Sequence, residues 1–307
     1  MKKLVGLLLA FAMVLSLAAC GGGNGNSQQS SAGGADKDSS ESAAQSSQES
    51  SSSAAAGSDS FSLSETAIID DDTCSFKVIG AEIDKFDGFV LNAVLENKLK
   101  DKTLSFALDD TTINGVRAFS FISKDVTPGN KANVKISFTT KKLEENGIKD
   151  FTDIELTGIV TETGNYDTLT QGTAHVYPYG EDKAVAYVRE SKPTDVVLMD
   201  NDKVTVTKIG SGENDFNEFC ISLYIVNKTD KKLSVSAADT AVNGAMLDPM
   251  LYENIPAGKS AFAAMSWSKS DLESNGITKI EKIEAPLVIK DYASYETLVT
   301  ETVAIQP

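Results

Sequence analysis

Histidine and cysteine are scarce in this chain of 307 residues, which has one histidine and three cysteines. A nucleophile–base pair or a histidine-containing metal centre needs more than the single His175. We therefore expect a protein that is not an enzyme, with no catalytic residue, no cofactor and no metal ligand, although carboxylate pairs could still do acid–base work. His175 is interpreted as a surface residue. Three cysteines are also too few for the disulfide framework of small secreted domains.

Positive charge is scarce as well. The chain has 28 Lys and Arg against 44 Asp and Glu, and its net charge is −16. A chain this acidic is repelled by nucleic acid and by anionic lipid headgroups, so we expect no nucleic-acid partner.

Long apolar runs are absent beyond the N-terminus, where Lys2 and Lys3 precede an apolar stretch from Leu4 to Leu15. This stretch is shorter than the roughly 20 residues of a membrane-spanning helix. Together with the tetrapeptide Leu17-Ala18-Ala19-Cys20 it resembles the lipobox signal of a bacterial lipoprotein. The resemblance implies that residues 1–19 are removed, that Cys20 is acylated, and that the chain is anchored outside the cytoplasm to the lipid bilayer. The alternative is a soluble secreted protein cut by the ordinary signal peptidase.

Residues 20–62 consist mainly of Gly, Ser, Ala, Gln and Asn. Such a segment cannot bury enough apolar surface to offset its ordering entropy, so the sequence predicts a disordered tether. A flexible chain of forty residues spans about 35 Å.

The rest of the chain is an internal repeat. Residues Thr66–Asp70 recur as Val196–Asp200, Leu143–Ile148 recur as Leu272–Ile277, and the offset stays at 129 or 130. This register predicts two copies of one domain, 63–180 and 195–307, joined by a linker at 181–194. Cys74 aligns with Val204 and Cys220 with Val90, which favours two buried free thiols over a disulfide.

Each copy has the pattern of an all-β domain. Residues 89–95 and 219–226 are apolar-rich strand candidates, and residues 134–138 alternate with period two. Asn-Gly at 114–115 and 243–244 favours hairpin turns, and one short helix is expected before Gly147 and before Gly276, the latter capped by Ser268. Seven to nine short strands per copy predict a β-sandwich.

Four features make both copies resemble the immunoglobulin-like modules of unknown function in lipoproteins of Gram-positive bacteria. They are the Asp-x-Asp opening, Asn227-Lys228 followed by Lys231 and Leu233, the turn Val242-Asn243-Gly244, and Ala257-Gly258-Lys259 before the helix. The resemblance implies two tandem extracellular immunoglobulin-like sandwiches with no assigned chemistry. The paired cysteines and central Trp pattern of antibody domains are absent.

Three other sets of residues have two interpretations. The acidic groups can bind calcium or serve as turn acceptors, and turn chemistry is favoured; they are Asp70, Asp71 and Asp72, Asp200 and Asp202, and Asp109 with Asp110. Trp267 aligns with Phe138 and is expected in the core rather than in a ligand site. The apolar tract 246–252 forms either a covering strand, which is favoured, or an exposed contact patch.

The predicted function is a membrane-anchored extracytoplasmic lipoprotein that binds or adheres without catalysis. Its ligand would be a protein or a glycan at the cell surface. The alternative is a structural spacer or an accessory subunit of an envelope complex. A solute-binding protein is disfavoured because the βαβ alternation of such proteins is absent.

Overall fold

The protein was analysed as a computed structural model that describes residues 61–165 and 167–307. The predicted signal peptide, Cys20 and nearly all of the predicted tether therefore lie outside the described residues. Within the described ranges the chain is all-β apart from two short α-helices and one 3-10 turn. The all-β class and the β-sandwich architecture predicted from the sequence are confirmed.

The first sandwich contains the strands β1 to β10 and helix α1. Their bounds are β1 Thr66–Asp70, β2 Cys74–Asp84, β3 Gly88–Asn97, β4 Leu104–Ile113, β5 Val116–Arg117, β6 Phe119–Phe121, β7 Ser123–Val126, β8 Lys131–Thr139, α1 Lys141–Glu145, β9 Ile154–Glu162 and β10 Thr168–Val176.

The second sandwich contains β11 to β20 and helix α2, and a 3-10 turn at Glu181–Lys183 precedes it. Their bounds are β11 Val196–Asp200, β12 Val204–Glu213, β13 Glu218–Asn227, β14 Leu233–Ala237, β15 Ala241–Val242, β16 Ala245–Met246, β17 Tyr252–Ile255, β18 Ser260–Ser268, α2 Lys269–Ser274, β19 Ile283–Asp291 and β20 Thr297–Ile305.

Three sheets build the two sandwiches. A five-stranded sheet in the order β1-β2-β3-β8-β6 faces the part of a nine-stranded sheet formed by β10, β9, β4 and β5, with β7 beside β4. The other half of the nine-stranded sheet, β18-β13-β12-β11, faces a six-stranded sheet built from β16, β15, β19, β14, β17 and β20. One sheet thus runs through both sandwiches.

The local signals in the sequence explain the turns and helix ends. Asn114 and Gly115 have φ of 53° and 81°, and Asn243 and Gly244 have 51° and 87°, as a tight hairpin requires. The Ser268 hydroxyl accepts the Asp271 N–H at 3.1 Å, which confirms the predicted cap. Each sandwich has ten strands rather than seven to nine, because the chain changes sheets after each Asn-Gly turn and breaks there into very short strands.

Each sandwich has its own apolar core. The first is built around Phe76, Phe106 and Leu156, and the second around Ile221, Leu223 and Trp267. Trp267 is buried and donates its indole N–H to the Leu247 carbonyl at 2.9 Å, so its predicted core position is confirmed. Cys74 and Cys220 are buried free thiols, as their alignment with valines predicts. Burial raises the pKa of the Cys74 thiol to about 12.

Candidate binding surface

The two sandwiches meet at a joint where their backbones are hydrogen-bonded. Val116 of β5 pairs in parallel with Ser260 of β18, and the Ser260 N–H donates to the Gly115 carbonyl at 3.1 Å. Tyr187, in the predicted linker, donates its N–H to the Asn114 carbonyl at 2.8 Å. The Asn-Gly turn of the first sandwich is therefore also its point of attachment to the second.

Ion pairs surround this backbone contact, and three join side chains that are mostly buried. Lys232 Nζ lies 2.9 Å from Asp110 Oδ1, Lys259 Nζ lies 2.7 Å from Glu155 Oε2, and Arg117 Nη1 lies 2.5 Å from Glu253 Oε1. Lys141 and Asp215 form a further, exposed pair. In two of the three buried pairs an acidic group of the first sandwich faces a lysine of the second.

The segment predicted as a linker packs into the same joint. The Tyr187 ring lies 6.0 Å from that of Phe262, and the Arg189 guanidinium lies 5.7 Å from the centroid of Tyr224. Arg189 also binds Asp195 through two hydrogen bonds of 2.6 and 2.9 Å. The guanidinium lowers the pKa of the Asp195 carboxyl to about 2.

From the ion pairs of the joint we expect that Lys232→Glu separates the two sandwiches without unfolding either of them. The new carboxylate would lie against Asp110 and Asp109, and like charges held this close repel. Pulsed EPR between spin labels at the exposed residues Asp87 and Ser294 should show one narrow distance that broadens in the variant. The background is the chain from residue 21 to 307 with Cys74→Val and Cys220→Val, the residue that the other copy carries at each site, so that no native cysteine takes a label.

Lys203→Glu is the matched control for this prediction, because the Lys203 ammonium pairs with its neighbour Asp202 and not across the joint. A narrow distance that survives Lys232→Glu would show that the ion pairs do not hold the joint.

His175 belongs to the network beside the joint. Its Nδ1 lies 2.6 Å from Asp153 Oδ1 and its Nε2 lies 3.0 Å from Glu155 Oε2, the carboxylate that also accepts from Lys259. The ring stacks on Tyr177, and 39 % of the side chain is exposed. The residue thus lies at the surface, where it links two carboxylates.

The acidic groups that open each copy serve as turn acceptors and as partners of lysine. Asp71 Oδ1 accepts the N–H groups of Thr73 and Cys74, and Asn201 does the same for Lys203 and Val204. Lys98 forms an ion pair with Asp70, and Lys228 forms the equivalent ion pair with Asp200. Within residues 61–165 and 167–307, no group of three or more His, Cys, Asp or Glu is placed to hold a metal ion.

The outward side of the five-stranded sheet exposes apolar and amide side chains. We define this exposed face by six residues, Ile79, Asn92, Phe119, Phe121, Asn133 and Lys135. Phe121 pairs across the strands with Ser137, and Asn92 pairs with Lys135. The core residues Ile136 and Phe138 point the other way, so these side chains share the outer surface.

Exposure on this face is large for apolar side chains. Phe121 is 66 % exposed, Phe119 is 58 % and Ile79 is 47 %. Ile79, Asn92, Asn133 and Lys135 also line a shallow depression of about 510 Å³. An exposed apolar patch with polar groups at its rim is typical of an interaction surface.

Part of the same face of the second sandwich is covered by the joint. Ile209, Tyr224 and Phe262, which align with Ile79, Val94 and Asn133, pack against the core cluster of the first sandwich. Equivalent surfaces of the two copies thus differ in chemistry and in exposure. In the second sandwich this part of the face is an intramolecular interface, and in the first it is open.

The sequence predicts either a covering strand or an exposed contact patch for the apolar tract 246–252, and each interpretation holds for part of the tract. Leu251 is buried, and β16 and β17 join the six-stranded sheet, as a covering strand would. Met246, Met250 and Tyr252 are 64 %, 77 % and 63 % exposed. Met250 occupies the position of Phe121, because each pairs with the equivalent serine, Ser266 or Ser137.

Sequence reasoning missed the joint and the exposed face, although a signal for both was present. At the aligned positions 94 and 224, and 133 and 262, the first copy has Val and Asn where the second has Tyr and Phe. Aromatic residues at these outward positions in the second copy alone mark a surface that is covered only there. The change from Val and Asn to aromatic residues at these two aligned positions is the sequence signal that indicates the covered surface.

Comparisons with known proteins show no family. Neither a protein-family model nor a curated protein matches the sequence. Among solved structures, a red sea bream transglutaminase matches with a TM-score of 0.21 and 9 % identity, over 80 % of this chain and 31 % of that one. The chain thus spans about a third of that protein, and the likeness carries no functional argument. Among the described residues, no helix is long and apolar enough to cross a membrane.

Proposed function

We propose that this chain is a lipid-anchored extracytoplasmic protein that binds a surface ligand without catalysis. The observation that carries the proposal is the exposed face. Phe119 and Phe121 are exposed there, and the part around Ile79 is open in the first sandwich but covered by the joint at the equivalent place in the second. A surface kept open in one copy alone fits a binding role better than two equally polar surfaces would.

The tether and the anchor complete this proposal. Acylation of Cys20 would attach the chain to the outer side of a membrane, and two or more acyl chains hold a protein there stably. Residues 20–62 would then let the paired sandwiches explore about 35 Å from the surface. Removal of Lys2 and Lys3 with residues 1–19 would change the net charge from −16 to −18, and this charge would keep the sandwiches away from anionic headgroups and leave the face free to meet its ligand.

The second candidate function is a spacer in the cell envelope, and the joint favours it. Hydrogen-bonded strands and three mostly buried ion pairs fix one sandwich on the other, as a rigid spacer requires. Unlike a binding module, a spacer would not need the exposed face to touch anything.

Photo-crosslinking in intact cells distinguishes the two functions. The full chain carries benzoylphenylalanine at position 121 or, as the matched control, at position 250, the equivalent exposed site in the second sandwich. The binding role predicts a reproducible crosslinked product from position 121 and none from position 250. Cys20→Ser should release the chain from the membrane fraction and abolish that product.

The same result from both positions, or no product from either, would count against the binding role and favour the spacer. A Cys20→Ser variant that stays in the membrane fraction would contradict the lipid anchor.

A further inference from the structure

The chemistry of the exposed face restricts what it can bind. Its charges are already paired within the fold. Lys135 Nζ lies 2.7 Å from Asp84 and 2.8 Å from Glu82, and Lys131 lies 3.1 Å from Glu96. No excess of positive charge is left on this side of the sheet, and the chain as a whole is acidic. An anionic ligand therefore gains little here, and an uncharged one is favoured.

The uncharged groups that remain are of two kinds. Asn92 and Asn133 present side-chain amides beside the depression, and each amide offers two donors and an acceptor. Ser137 and Thr139, on the same side of β8, add hydroxyl groups. Hydroxyl-rich ligands are bound by such groups, because every amide can both donate to and accept from them.

The second kind of uncharged group on the exposed face is the aromatic side chain. Phe119 and Phe121 lie two residues apart on the edge strand β6, so both side chains stand on the same side, on Cα atoms about 7 Å apart. An exposed ring offers a flat apolar surface, which suits a ligand with one apolar side and polar edges. The pyranose ring of a sugar has this shape, with axial C–H groups on its face and hydroxyls around it.

These groups form a line along the sheet rather than a closed pocket. From Asn133 to Thr139 the strand β8 runs about 20 Å, with the amides at one end and the two rings beside the other. An open track of this length fits several consecutive units of an extended chain better than it fits one small molecule.

We infer that the exposed face is a binding site for an uncharged polysaccharide, with Phe119 and Phe121 stacking on sugar rings and Asn92 and Asn133 binding hydroxyls. The inference rests on the proposed binding function and names the ligand class. On the counterpart face the joint covers Tyr224 and Phe262, and Met250 stands in place of Phe121, so the described part of the chain carries one such site.

A printed array of neutral and acidic oligosaccharides, probed with the lipid-free chain from residue 21 to 307, tests the inference. We expect binding to neutral glycans of several units. Phe121→Ala and Asn133→Ala should each weaken it at least tenfold, with melting temperatures unchanged because both side chains lie at the surface. Met250→Ala, at the equivalent site of the second sandwich, is the matched control and should bind normally.

Binding to no neutral glycan, binding only to acidic glycans, or binding that survives both substitutions would overturn the inference. The crosslinking experiment separates this failure from that of the proposed function. A crosslinked protein at position 121 together with a silent array would leave the binding function standing and replace its ligand class. Failure of both experiments would remove both proposals.

Discussion

Asn227→Asp is expected to destabilise the second sandwich by about 3–5 kcal/mol, which corresponds to a loss of roughly 6–20 °C in melting temperature. Asn227 is almost fully buried, and its Nδ2 donates to the carbonyls of Lys231, Ile255 and Pro256 at 2.7 to 3.0 Å. A carboxylate of the same shape would place an oxygen against those carbonyl oxygens. Differential scanning calorimetry measures the loss.

Asn201→Asp is the matched control for this substitution. The Asn201 side chain accepts two backbone N–H groups in the turn after β11, and in the first sandwich the equivalent Asp71 performs this function with a carboxylate. We expect a change within about 0.5 kcal/mol, as at an ordinary surface position. Equal losses in both variants would show that burial and lost donors are not the cause.

The first sandwich repeats the arrangement with Asn97, whose Nδ2 donates to the carbonyls of Lys102 and Val126 at 2.7 and 2.8 Å. In each copy this buried amide donates to the turn that follows its own strand and also to the end of a strand in the opposite sheet. It therefore joins the two sheets of its sandwich. The Asn-Lys pair in the repeat therefore has a structural cause, and the asparagine is its essential member.

Gly172→Val is expected to cost about 3 kcal/mol or more in the first sandwich. A Cβ at Gly172 would lie 2.1 Å from the Ile68 carbonyl oxygen and 3.0 Å from the Ile69 side chain. The oxygen belongs to the backbone of β1, which cannot retreat without breaking its pairing with β2. Urea denaturation should show a lower midpoint than in the wild-type chain.

Gly212→Ala controls for the general effect of replacing a strand glycine, since nothing lies within 4 Å of a Cβ there. In the second sandwich the position equivalent to Gly172 is the exposed Glu301, and Glu301→Ala should also have little effect. A wild-type midpoint for Gly172→Val would mean that β1 does not pack against β10 in solution.

Local signals let the sequence predict much of the fold. The Asn-Gly turns, the serine cap and the glycines after both helices each act within a few residues, so their geometry follows from residue type. The repeat supplied the two-sandwich organisation. Cys74 and Cys220 were placed correctly, because the aligned valines reveal the apolar surroundings of the thiols.

The contacts between copies could not be predicted in the same way. Lys259 and Glu155 lie 104 residues apart, and nothing local distinguishes either from an ordinary surface residue. Predicting the exposed face requires knowing which strands lie at the centre of a sheet and which side of that sheet is covered. Both are defined only when the two sandwiches are assembled. His175 was expected at the surface, but its two carboxylate partners come from strand pairing that only the fold defines.

The ion pairs of the joint also make the two copies unequal in sequence. The residues that align with Lys232, Lys259 and Arg117 in the opposite copies are Thr103, Asn130 and Met246, none of which carries the charge. A copy of the first sandwich placed in the second position would therefore offer no lysine to Asp110 or Glu155. The second copy keeps the two acids, as Asp239 and Glu284, so in these two pairs it is the lysines that assign each copy its place in the joint.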